Sequence, residues 1–312
     1  MSDRIAAISV DLDEILCYTQ IHGLRSPPAG GSGAIYRKAV ARFEHLFDEI
    51  GVKATFFVIG RDLDDGDNAR TVERLYARGH EIANHSANHL YDFSRRDRAT
   101  IKREIQAGAQ AIQKVTGNRP LGFRAPGYTV TDTIFRELEQ AGVVYDSSVF
   151  PCPLYYAAKA AAIAAIHLAG SRSHSVTDTP FVLGCPTEPY RVGLPYWRRG
   201  QGLLELPIGL TPASSGRLPF IGTSLVLAGK SASAFLARLM RATPFVNLEL
   251  HGIDLADAQE DGLDFLRQHR MDLRPSWRQK RAALRAAIEV LQRASYRFVT
   301  LAEAAEEFAR RT

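Results

Sequence analysis

The run IAAISVDLD, residues 5–13, with AIYRKAVARFEHLFDEIG, residues 34–51, after it, decides how this chain is read. The first is a short apolar run ending in two aspartates, the signature of a buried strand that stops at a polar rim. The second repeats its apolar residues at helical spacing and closes at Gly51, where a left-handed C-cap is expected. Together they make one β/α unit.

The same phrase recurs along the chain. ATFFVIG (54–60) precedes NARTVERLYARG (68–79), HEIANHS (80–86) precedes RATIKREIQAGAQAIQKVTG (98–117), and LGFRAP (121–126) precedes TDTIFRELEQAG (131–142). VVYDSS (143–148) follows. Gly79, Gly117 and Gly142 end helices as Gly51 does. Residues 151–202 break the rhythm with an Ala-rich helical stretch and a loop dense in Pro, Gly and aromatics. Alternation resumes with LLELPIGL (203–210), a helix around SASAFLARLMRA (231–242), the strand FVNLELHG (245–252), a long helix over 275–295, the strand RFVTL (297–301) and a last helix. Strands alternating with helices predict a mainly parallel sheet. The expected fold is α/β, a distorted (β/α)7-type, TIM-like barrel forming a single domain over 1–312, with a helix-loop insertion at about 151–202.

Composition permits this. The chain has 312 residues, 46% of them hydrophobic and 23% charged, enough to bury a full core. The net charge of +5 is scattered along helices and not gathered in one tract, which argues against a nucleic-acid partner. Three cysteines, Cys17, Cys152 and Cys185, show no CxxC spacing, so neither a disulfide framework nor a structural zinc site is expected. The N-terminal run is too short for a signal peptide, and a cytoplasmic location is expected. The stretch YYAAKAAAIAAIHLAG, 155–170, is too short to span a bilayer and reads as a buried helix, although its place after a rim strand also suits an acyl or lipid-binding groove and peripheral membrane contact.

In parallel β/α folds catalytic groups sit where strands end. Here those ends carry Asp11 and Asp13, His85 and His89, Arg124, Asp146 and His251. Strand alternation puts His80 on the face opposite His85. A helical turn after His85 would bring His89 to the same side, an i, i+4 pair able to grip one cation. Asp11 and Asp13 share a strand face, so both carboxylates can approach that centre. Two imidazoles and one carboxylate leave coordination positions open, as catalytic sites require.

The motifs VDLDE (10–14), HSANH (85–89), RAPGY (124–128) and LELHG (248–252), in this order on successive strands, resemble those of the polysaccharide deacetylases of carbohydrate esterase family 4. The first motif is nearer the D-x-D branch, with its peptidoglycan-deacetylase-like proteins, than the adjacent Asp-Asp form. The resemblance implies a metal-dependent deacylase on a distorted barrel, with Asp13, His85 and His89 binding Zn²⁺ or another divalent ion such as Co²⁺, Ni²⁺ or Fe²⁺. It implies Asp11 as general base, Arg124 as its partner, the Tyr128 backbone N–H as an oxyanion donor and His251 as general acid. Ser86 would brace the loop between the histidines. The substrate would be an N-acylated amino sugar or a lipid- or carrier-linked relative of one. A deformylase-like step on a carrier-linked sugar, a non-catalytic carbohydrate-binding barrel that keeps the metal site, and a sugar-phosphate isomerase are the competing readings.

The chain also departs from the family. The stretch LELPIGLTPASSGRLPF, 204–220, lacks the usual pocket Asp and Trp. That leaves Asp146 and Asp254 as the carboxylates expected to support His251. Tyr190, Tyr196 and Trp197 are read as packing beneath their own loop before any sugar contact, and Cys17 as a small buried thiol.

Overall fold

Strand β1 (Ile5–Asp11) is buried along its whole length, as a parallel strand covered on both faces must be. Its two faces differ. Ala6, Ile8 and Val10 point outward into the main core shared with the surrounding helices, while Ile5 and Ala7 point into the barrel interior beside Phe57 and Tyr145. Further along the inner face come Ser9 and Asp11, so the interior turns from apolar to polar toward the C-terminal rim.

The structure, a computed structural model, describes residues 4–24, 33–168, 170 and 173–310. After β1 come α1 (Ile15–Ile21), α2 (Val40–Ile50), β2 (Thr55–Val58), α3 (Gly66–Ala77), β3 (Glu81–Asn84), α4 (Arg98–Thr116), β4 (Gly122–Phe123), α5 (Asp132–Gln140) and β5 (Tyr145–Asp146). The second half holds α6 (Pro153–Leu168), β6 (Tyr190–Val192), β7 (Arg199–Glu205), α7 (Gly222–Leu239), β8 (Phe245–His251), α8 (Trp277–Arg293), β9 (Arg297–Val299) and α9 (Leu301–Ala309). The sheet runs β6-β7-β5-β4-β3-β2-β1-β8, and β9 pairs with the first half of β1 below β2. All pairs are parallel except the β6–β7 hairpin. This is the curled, barrel-like α/β sheet the alternation predicts.

Among the described residues no ladder joins β7 to β8. The seam is closed by Asn247, whose amide donates to Ser147 Oγ (2.9 Å), Leu206 O (3.1 Å) and Pro207 O (3.3 Å). Its carbonyl accepts from Gly209 N at 2.8 Å. A Cβ at Gly209 would lie 2.5 Å from that carbonyl, which is why the backbone can approach so closely only with glycine there.

Several local expectations are corrected. The segment between the first strand and the 34–51 helix holds a further helix, α1. The strand expected at 203–210 is β7, which begins earlier and ends at Glu205, and α7 begins at Gly222 with a break at Gly229 (φ 76°). The helix expected within 155–170 is not buried: no residue of α6 is fully buried, Tyr155 and Tyr156 only partly pack against the core, and Leu168 is 90% exposed. Gly51 and Gly117 do cap their helices in the left-handed region, at φ 67° and 76°.

Because the Asn247 amide donates from β8 to Leu206 O and Pro207 O across the open seam, Asn247→Ala should lower the urea unfolding free energy by about 1–3 kcal/mol, the cost of orphaning buried carbonyls. An unchanged urea midpoint would show that the seam closes without it.

Candidate metal centre and active site

The site begins with what β1 and β8 share. Asp11 pairs in register with His251, and Ser9 with Glu249. Side-chain alternation therefore sends Ser9, Asp11, Glu249 and His251 to the same inner face at the C-terminal rim. From β4, Arg124 enters beneath them and is fully buried. Its Nη1 donates to Asp11 Oδ1 (2.6 Å), its Nη2 to Ser9 Oγ (2.9 Å) and Ser147 Oγ (2.8 Å), and its Nε to Ser147 O (2.7 Å). The guanidinium also lies 4.1 Å above the Phe57 ring centroid.

Asp13 follows β1 by two residues and meets the HSANH loop. Its Oδ1 stands 3.4 Å from His85 Nε2 and 3.3 Å from His89 Nε2. The His85–His89 pair is not gathered by a helical turn as expected. Ser86 and His89 both take left-handed backbone conformations, φ 67° and 53°, and Ser86 Oγ accepts from His89 N at 3.0 Å. The hydroxyl braces the loop in the way foreseen for it. His80 lies on the opposite face, accepting from Ala54 N among Phe47 and Phe56.

Donor chemistry and geometry fit a divalent ion. The ligand atoms of Asp13, His85 and His89 all fall within 4.8 Å of one another. Donors in a tetrahedral zinc site, each about 2.0–2.2 Å from the metal, stand roughly 3.3 Å apart, which matches both Asp13 separations. His85 Nδ1 donates to Arg124 O (2.8 Å), which leaves Nε2 as a lone-pair donor. Asp13 Oδ1 and both ring nitrogens of His89 are buried with no hydrogen-bond partner among the described residues. Burial, aided by His85, pushes His89 down to about 3, so its imidazole is neutral. Burial alone would raise Asp13, yet His89 and His85 hold it well below the usual carboxylate range.

Asp11 behaves oppositely. Burial raises its carboxyl against the pull of Arg124 and His85, so Arg124 orients Asp11 without making it a weak base. Neither Asp146 nor Asp254 supports the His251 ring. Asp146 takes Ser148 N and Oγ, and Asp254 takes the His251 main-chain N at 2.8 Å. The supporting carboxylate is Glu249, whose Oε1 lies 2.8 Å from His251 Nδ1. Burial would lower His251, but Glu249 drives it up to about 10. Sequence reasoning missed Glu249, although its place two residues before His251 on one strand face was the available signal. Asp11, Glu249 and His251 form a second cluster within 4.8 Å, but Arg124 and the imidazole already engage it internally.

Tyr128 is placed differently from the expectation. Its amide donates to Ala125 O at 3.1 Å, while its hydroxyl stands 3.1 Å from His251 Nε2. Cys17 is a buried thiol between Ile59 and Tyr91, raised by burial. Tyr190 and Tyr196 are buried beneath their own loop and Trp197 stacks on Phe181, so none of the three reaches the site. A cavity of about 410 Å³ opens above Asp11, Asp13, His85 and His251.

Residues 32–145 match the family model for polysaccharide deacetylase. That span holds HSANH and RAPGY, whereas Asp11, Asp13, Glu249 and His251 lie outside it. A peptidoglycan-N-acetylglucosamine deacetylase of Bacillus cereus is 34% identical over 97 residues, 31% of this chain and 44% of the relative. The match thus spans less than half of that protein. Among solved structures, one described as a putative polysaccharide deacetylase from Mycobacterium smegmatis superposes with a TM-score of 0.63 at 19% identity, over 100% of this chain and 92% of the other. The Puue allantoinase superposes with a TM-score of 0.61 at 17% identity, over 98% and 90%. These likenesses show the fold. No helix among the described residues is long and apolar enough to cross a membrane.

Calorimetric titration of metal-stripped protein with Zn²⁺ should show about one equivalent bound, with Tm rising as the ion concentration rises. His89→Ala and Asp13→Ala should abolish that isotherm. Unaltered binding in both variants would place the ion elsewhere.

Proposed function

We propose that the chain works as the polysaccharide deacetylases do, whose family model residues 32–145 match, and that it hydrolyses the amide of an N-acylated amino sugar, releasing a free amine and a carboxylate. One observation carries the reading. A carboxylate raised by burial, Asp11, and an imidazole held protonated, His251 on Glu249, face one cavity beside an open three-ligand trio.

Asp13, His85 and His89 would hold Zn²⁺ or another divalent ion that suits two imidazoles and a carboxylate. Such an ion supplies Lewis acidity to the acyl oxygen and to water. The remaining work belongs to the chain. Asp11, fixed by Arg124, accepts the proton of the attacking water, and its Oδ2 lies 3.9 Å from His85 Nε2, next to the trio. His251 donates from Nε2 to the departing nitrogen while Glu249 stabilises the imidazolium. Tyr128 Oη occupies that Nε2 face and either yields to the substrate nitrogen or relays the proton to it. A carbohydrate-binding barrel without catalysis has no use for this acid and base pair.

Two variants separate the roles. Asp11→Asn should bind the ion as wild type yet lose activity by on the order of 10²–10⁴-fold in amine release from N-acetylated sugars. Near-normal turnover would remove Asp11 from the mechanism. A general acid works only while protonated, so activity should fall as pH rises through the His251 value of about 10. Glu249→Gln should move that basic limb down toward the ordinary imidazole range near about 6.5. A basic limb that stays in place in Glu249→Gln would assign the acid to another group.

A further inference from the structure

The cavity's floor is charged and polar side chains such as Thr223, Ser224, His269 and Arg270 also line it, but large aliphatic side chains stand on opposite walls and at the rim. Leu154 and Ala158 of α6 form one wall, Ile221 and Leu227 of α7 and its N-cap the other, and Met271 sits on the rim. Leu154, Leu227 and Met271 are 57%, 44% and 59% exposed, and they come from three separate elements. A lone exposed Leu needs no explanation. Three large aliphatic side chains converging on the opening of one cavity do.

The elements hold these tips in place. Lys159 turns inward and donates to Gly127 O at 2.8 Å, so the N-terminal part of α6 is tied to the RAPGY turn while Leu154 faces the opening. None of the three tips offers a strong hydrogen-bonding group. Sugar hydroxyls passing over them would lose water without replacement, whereas an alkyl chain would release the apolar surface now held in water.

We propose that this cavity contains a subsite for an aliphatic chain borne by the same substrate whose amide meets Asp11 and His251. The inference rests on the amidase reading and narrows its substrate class to lipophilic conjugates. The chain is carried either on the amide as a long N-acyl group or on the sugar's far end as a lipid aglycone.

Two homologous series distinguish the sources: N-acetyl, N-butanoyl and N-octanoyl glucosamine, and the methyl, butyl and octyl glycosides of N-acetylglucosamine, all below micellar concentration. Burying a methylene is worth about fourfold in affinity. KM should fall at least tenfold from the shortest to the longest member of one series, which identifies the carrier of the chain. The combined variant Leu154→Asp, Leu227→Asp, Met271→Glu should bring that ratio close to unity. A flat KM across both series, or a chain-length ratio that survives in the variant, overturns the subsite. Absence of turnover with every compound would instead defeat the amidase reading. Calorimetric binding of the same compounds then decides the subsite by the same ratio.

Discussion

A guanidinium with no exposure to water stands at the rim of the sheet, and the polar interior is arranged around it. Taking Arg124 out of water is expensive, and it persists only because its donors are met and a carboxylate lies against it. Ser9 from β1 and Ser147 beyond β5 supply the acceptors, and Asn247 from β8 donates to the same Ser147 hydroxyl. One network therefore ties together the strands on both sides of the open seam. It also fixes the carboxylate proposed as base, and through Arg124 O it orients His85. Stability of the rim and readiness of the site are the same set of bonds.

That network explains how two aspartates only two residues apart acquire opposite characters. Asp13 faces two imidazoles and is stabilised as a carboxylate, which suits a ligand. Asp11 is enclosed more deeply, and burial outweighs its cationic partner, which suits a base. Environments that drive like groups apart are how acid, base and ligand roles are divided in a compact site. Across the floor Glu249 does the reverse for His251, favouring the charged imidazolium.

Much of this was legible in the sequence, because strand alternation and the β/α rhythm are local properties. The period of β1 puts Asp11 on the inner face, and VDLDE, HSANH, RAPGY and LELHG do converge on one rim. What the sequence hid depends on non-local packing. The histidine loop turns through left-handed Ser86 and His89, which no helical periodicity reveals. Glu249 looked like one more strand residue until β8 was registered against β1. The Ala-rich 155–170 stretch reads as core because apolar composition usually means burial, yet α6 has no fully buried residue and lies beside the cavity. The β6–β7 hairpin, the one antiparallel pair among the named strands of the described residues, begins in the stretch where the alternating pattern lapses.

The proposed mechanism divides the labour between Asp13, which would hold the ion, and Asp11, which would not. Anomalous diffraction at the zinc absorption edge from crystals of the zinc-loaded protein tests that division directly. It should show one strong peak about 2.0–2.2 Å from Asp13 Oδ1, His85 Nε2 and His89 Nε2, with Asp11 still paired to Arg124. A peak among Asp11, Glu249 and His251, or none at the trio, would contradict it.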